Sequence, residues 1–181
     1  VLGPGLIFDG RTVMLSLCAL FFGPWAAVVA CVMTVTTRVT LGGAGLVMGV
    51  LTILMSSGVG LWLHYRFKRI PGPPSVLNLY GMGLVVHFLM VALMVTLPGE
   101  IALQTFKRLA LPIILLYPLA TILAGKILSD QVTALRSVKI LRESEERYRL
   151  LFNSSNDAIL LTIPDGRILA ANPAACRIFE R

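Results

Sequence analysis

Charge is what this sequence has least of. Charged residues make up 14% of the chain and only nine are Asp or Glu, where an ordinary soluble domain carries about 25% charged residues. Hydrophobic residues reach 56%, an apolar excess that a free-standing soluble domain has no core to absorb. The sixteen Lys and Arg residues do not gather into a basic patch interleaved with aromatics, which argues against a nucleic-acid partner. Histidines number two and cysteines three. Cys18 and Cys31 lie in apolar segments and Cys176 in the polar tail, without ligand-like spacing, so they read as ordinary buried thiols and no metal is expected. There is no Gly-rich phosphate loop, no paired carboxylates and no histidine in the polar helix to accept a phosphoryl group. A chain with these gaps is expected to bind, span and relay, and to catalyse nothing. The opening Val-Leu-Gly-Pro-Gly has neither the charged region nor the cleavage site of a signal peptide, and does not read as a natural start.

What is present is long uncharged sequence. Residues 12–37, 39–65, 70–99 and 109–125 contain no Asp, Glu, Lys or Arg. About 20 apolar residues cross the hydrocarbon of a bilayer, so up to four spans fit. Positive charge concentrates around them: residues 1–127 hold eight Lys or Arg against Asp9 and Glu100, net +6, whereas residues 128–181 hold eight against seven, net +1. That bias is a matter of topology and lipid contact.

The first stretch, VMLSLCALFFGPWAAVVACVMTVTT, carries Gly23 and Pro24 at its middle. Proline inside a helix removes a donor and costs about 3 kcal/mol. Pro24 therefore either kinks one span, the preferred reading, or divides a re-entrant pair whose exposed backbone must be buried in protein or face a wet cavity. After Arg38, the glycines Gly42, Gly43 and Gly45 form a turn into a second span over residues 44–63, where Gly45 and Gly49 make a small-xxx-small pair. Trp62, His64, Tyr65, Arg66, Lys68 and Arg69 follow as an aromatic belt and basic cluster, marking the cytoplasmic side, with His64 as an interfacial anchor. Pro71, Gly72, Pro73 and Pro74 make a loop before a third span over 79–97. Residues 100–108 read as a short loop, and a fourth span over 109–128 is bent by Pro112 and Pro118, with Lys126 snorkelling to the interface.

Residues 129–149 turn polar and helical. Leu128, Val132 and Leu135, then Val138, Leu141, Glu145, Tyr148 and Phe152, recur at threes and fours with one skip, the pattern of a short coiled coil that would pair two subunits and relay motion through Leu135, Val138, Leu141 and Tyr148. A solvated amphipathic linker is the plainer alternative. Asp130, Glu143, Glu145 and Glu146 form a solvated face with charge pairs to Arg142, Arg147 and Arg149. The tail then reads as a strand, a Pro-Asp-Gly turn, a second strand and a helix with Asn172 as N-cap and Pro173 at its first position. Two strands and a turn of helix do not close a domain, so the chain is expected to stop inside one.

His87 sits mid-span, where an ionisable residue is a candidate for ligand or proton sensing, against a bland role as a neutral hydrogen-bonding group. Asp9 and Arg11 flank Gly10 at a membrane boundary, placed to pair, to meet an anion or simply to anchor. Arg38 could hold an anion with the amides of the following glycine turn, or anchor.

The tail SEERYRLLFNSSNDAILLTIPDGRILAANPAACRIF resembles the opening of a PAS domain. The run IFDGRTVMLSLCALFFGPWAAVVACVMTVTTRVTLGGAG resembles the five-transmembrane receptor module of LytS-type sensors, through Asp9-Gly10-Arg11, Phe22-Gly23-Pro24, Arg38 and Gly42-Gly43. That family has further helices before the Asp-Gly-Arg element. The expected fold is an all-α polytopic membrane bundle (residues 1–128, its N-terminal part missing), a coiled-coil-like linker helix (129–149) and the truncated start of an α+β PAS domain (150–181). The resemblance implies a bacterial plasma-membrane sensor with a cytoplasmic PAS portion, the bilayer, a second copy and a response regulator as partners, and histidine-kinase output directed at the cell wall and autolysis. Diguanylate cyclase or phosphodiesterase output is the alternative, and a cofactor in PAS is unknown. Broken helices also suit a small-solute transporter, and a plain membrane anchor is a third reading.

Overall fold

The structure, a computed structural model, describes residues 10–43, 45–68, 72–97 and 99–179. They fall into two compact units, residues 1–131 and 132–181. Four helices of the described residues are long and apolar enough to cross a membrane: α1 (Arg11–Leu41), α2 (Leu46–Phe67), α3 (Val76–Ala92, continued by a 3-10 turn, Leu93–Thr96) and α4 (Gly99–Ser154). Their outward side chains are large and apolar, with Trp25 84% exposed, as expected of surfaces solvated by lipid tails.

Helix α1 is divided at Gly23, whose φ of 78° and ψ of −162° lie where only glycine rests without strain. Pro24 then opens a second helical leg at the position where its missing N–H is no loss. The two legs run in opposite senses along α2. In the first, the Ser16 carbonyl abuts Gly60, and four residues on the Leu20 carbonyl meets His64, so the numbers rise together. In the second, the Cys31 thiol donates to Ser57 at 3.0 Å and Arg38 packs on Gly49, so one number rises as the other falls. The chain therefore doubles back at Gly23, and the expectation of one kinked span is corrected. Residues 24–41 follow most of the length of α2. Residues 11–22, about 18 Å of helix, are too short to cross.

Helix boundaries shift for local reasons. The second span continues through His64, Tyr65 and Arg66 to Phe67, because belt residues are ordinary helix formers and the stop comes only with the proline loop. Ser75 caps α3 by accepting from the Asn78 N–H at 3.3 Å. The expected loop over residues 100–108 is instead the first turns of α4, since nothing after Gly99 breaks a helix. Nor do Pro112 or Pro118 end that helix, which runs 56 residues without interruption.

Glycines set the close approaches within the bundle. A Cβ on Gly83 would lie 2.9 Å from the Pro118 Cα and 3.1 Å from the Thr121 Cβ, so α3 and α4 meet nearly backbone to backbone. Gly60 plays the same part between α2 and the first leg of α1. Gly125 makes room for Leu79 and Leu17. Gly49 makes room for the Arg38 side chain of the second leg of α1, and Gly45 is the N-cap of α2. One apolar cluster joins Val13, Leu17, Leu20, Leu79, Met82 and Val86; another joins Met48, Met90, Met94, Leu97 and Ile113.

In the second unit, β1 (Leu160–Thr162) pairs antiparallel with β2 (Ile168–Ala171), and α5 (Pro173–Ile178) follows. The turn is closed by the Gly166 N–H donating to the Ile163 carbonyl at 2.9 Å, with Gly166 at φ 88°. Asn172 is fully buried. Its Oδ1 accepts from the N–H groups of Ala175 (2.8 Å) and Ile159 (2.9 Å), and its Nδ2 donates to the Asp157 carbonyl at 2.9 Å. One side chain thus caps α5 and fastens the segment entering β1.

Candidate functional site

The first leg of α1 delivers Thr12 into the bundle, where its hydroxyl lies 3.1 Å from His87 Nε2. His87 is fully buried, and its Nδ1 is 2.7 Å from the Gly83 carbonyl. A carbonyl only accepts, so Nδ1 carries a proton, and in the neutral ring Nε2 then accepts from Thr12. The i, i−4 spacing of Gly83 and His87 is what lets the ring reach back along its own helix. From α4, the Tyr117 ring lies 5.0 Å from the His87 ring at 51°, and the buried Thr121 hydroxyl donates to the Tyr117 carbonyl at 2.9 Å. Three helices thus converge on one polar point inside an apolar cluster.

Beside it lies a cavity of about 410 Å³ between the first leg of α1 and α4, walled by Gly10, Val13, Met14, Leu116, Tyr117 and Ala120. Tyr117 is shared by cavity wall and His87 contact, so an occupant of the cavity bears on the polar point through one ring. The walls are apolar apart from backbone and Tyr117, the character of small-molecule sites in which a few polar groups set orientation. No group of three or more His, Cys, Asp or Glu residues is placed to hold a metal among the described residues.

A second polar contact joins the break in α1 to α2. In an unbroken helix the Leu20 carbonyl would accept from residue 24, but Pro24 has no N–H. His64 Nδ1–H occupies that place, 2.7 Å from the carbonyl oxygen. A Cβ on Gly23 would come within 3.1 Å of the His64 ring, so glycine is needed there for space as well as for its φ. The interfacial-anchor reading of His64 is corrected: the ring is half-buried and seats the broken helix. Only a pairing of distant segments reveals this, although a proline four residues after a carbonyl does announce that the carbonyl needs another donor.

The remaining sequence candidates scatter. Arg11 is half-buried and directly precedes Thr12, whose hydroxyl meets His87; Asp9 lies outside the described residues. Arg38 is 3% exposed and directed at Gly49 of α2. The Gly42 N–H donates to the Arg38 carbonyl at 3.2 Å, closing the end of α1 and using an amide that the anion-nest reading required; Gly43 has φ 91° and Ala44 lies outside the described residues. Leu135, Val138, Leu141 and Tyr148 are 50% or more exposed on α4, and Tyr148 stacks on Phe152 at 5.5 Å. Lys126 pairs with Asp130 at 2.8 Å, and exposed i, i+4 pairs join Lys139–Glu143, Arg142–Glu146 and Glu145–Arg149. Missed by sequence reasoning were Thr12, Tyr117 and Gly83, ordinary residues of apolar segments whose roles appear only when three helices meet.

Residues 3–131 match the family described as 5TMR of 5TMR-LYT, and residues 146–181 match a PAS domain. Over 50 residues the chain is 48% identical to sporulation kinase E of Bacillus subtilis (strain 168), a match covering 27% of this chain and 7% of that protein. No solved structure matches it.

Proposed function

This chain belongs to the 5TMR-LYT family, a multi-pass membrane sensor module here followed by a match to a PAS domain, and from that premise we propose that it is the sensing and relay region of a bacterial sensor histidine kinase. A stimulus acting at the cavity beside Tyr117 shifts the first leg of α1 against α4, and α4 passes the change to PAS and an output kinase. The kinase then acts through a response regulator, and by the LytS-type resemblance its output reaches cell-wall and autolysis control. The named relative, itself a kinase, supports kinase output over cyclic-dinucleotide output.

The observation that carries this reading is the continuity of α4. Tyr117, in contact with His87, and the polar segment ending at Ser154 belong to one uninterrupted helix. We take a displacement or rotation at Tyr117 to pass along this helix, as a relay between two states that a stimulus distinguishes by differential binding requires. Inserting one to three residues near Arg142 in the full-length protein changes the helical phase by about 100° per residue and is expected to scramble output. Unchanged signalling would remove the relay from consideration.

A second reading draws on the break in α1. Discontinuous helices line substrate sites at the midplane of transporters, and the first leg begins level with His87. Proteoliposome flux separates the two: a sensor shows none, whereas a transporter moves a solute down its gradient.

A further inference from the structure

We propose that the groove between α2 and α3 is a binding site for one acyl chain of an anionic phospholipid, its phosphate held by Arg66. The groove has a volume of about 480 Å³ and is walled by Leu54, Gly58 and Trp62 from α2 and by Leu77, Gly81 and Val85 from α3. Gly58 and Gly81 form an open floor, with nothing within 4 Å of the position a Cβ would take at either. The rim is apolar and accessible, Leu54 being 51% and Leu77 76% exposed.

Length and charge select the occupant. From Leu54 to Trp62 the groove extends about 12 Å along the helix axis. That is the depth of one leaflet, less than half of the roughly 30 Å that a crossing helix would have to cover. At the Trp62 end the Arg66 guanidinium lies 6.0 Å from the indole centroid, with Lys68 two residues on and Arg69 next in sequence. No Asp or Glu occurs between Arg11 and Gly99, and among the described residues no ion pair involves Arg66 or Lys68. An exposed cation over the Trp62 end of an apolar slot, in no ion pair among the described residues, matches a phosphodiester joined to a hydrocarbon chain. A second copy of the chain would bring a helix that needs the full bilayer depth and, through this region, no acidic residue to meet the cations.

The test is native mass spectrometry of the purified full-length protein equilibrated with equal amounts of phosphatidylglycerol and phosphatidylcholine. The wild type is expected to retain one saturable phosphatidylglycerol with at least fivefold preference. Arg66→Gln, at an exposed position, removes the preference, and Gly58→Leu with Gly81→Leu, which fills the slot, removes the retained lipid itself. Equal retention of both lipids, or a preference that survives both the arginine and the glycine substitutions, overturns the site and leaves only annular lipid. Loss of a dimer in the glycine-substituted protein with its lipid unchanged also overturns it, because the groove then seats another subunit.

Discussion

His64 and His87 show how a single ring decides structure at membrane depth. Each donates from Nδ1 to a carbonyl at 2.7 Å, but the Leu20 carbonyl needs a donor because Pro24 lacks one, whereas the Gly83 carbonyl sits inside a regular helix. His64→Leu is therefore expected to lower stability by roughly 1–3 kcal/mol, the cost of a buried polar group left unmade, as read by thermal unfolding in detergent. If Leu and His are equally stable there, the ring does not hold the break. At the other ring, Thr12→Val and His87→Phe are each expected to destabilise while the double variant recovers part of the loss, with a coupling on the order of 1 kcal/mol. A double-mutant cycle showing strict additivity would mean that the 3.1 Å contact contributes nothing.

At the scale of elements, helix α1 is two legs joined by one residue, whereas α4 is continuous from Gly99 to Ser154. A hinge of this kind absorbs a large change in backbone angles at one position while the packed legs move as units. The α3–α4 contact depends on Gly83 having no side chain. Gly83→Leu is expected to force these helices apart, costing about 1–3 kcal/mol as overpacking does and, on the proposed function, fixing output in one state. A variant of wild-type stability that still switches with stimulus would place the relay elsewhere. The exposed Leu135, Val138 and Leu141 on α4 make a second test: cysteine substitution at Leu141 should give disulfide-linked dimers of the full-length protein if the polar segment pairs as a coiled coil, and only monomers if it is a solvated linker.

For the whole molecule the question is orientation. With PAS placed in the cytoplasm, α4, α3, α2 and the second leg of α1 alternate so that Arg66, Lys68 and Arg69 fall inside, as the positive-inside rule favours. Lys107 and Arg108 then lie toward the outside against it. Fluorescent-protein fusions are expected to fold and fluoresce after Lys68 and to remain dark after Leu97; the reverse pattern would invert the topology. The sequence by itself determined that this is a membrane bundle, because charge-free stretches of this length have no soluble alternative. It also determined the Gly23–Pro24 break and the Asn172 cap, since glycine, proline and capping residues act through their own backbone. Even the family was legible, in short runs such as Asp9-Gly10-Arg11 and Phe22-Gly23-Pro24. What the break does, which partner His64 takes, and that Thr12, His87 and Tyr117 meet were decided only by tertiary structure. An apolar segment has no periodicity that records which face turns inward when lipid and core are equally hydrophobic. A proline announces a missing donor but not the direction in which the chain leaves it.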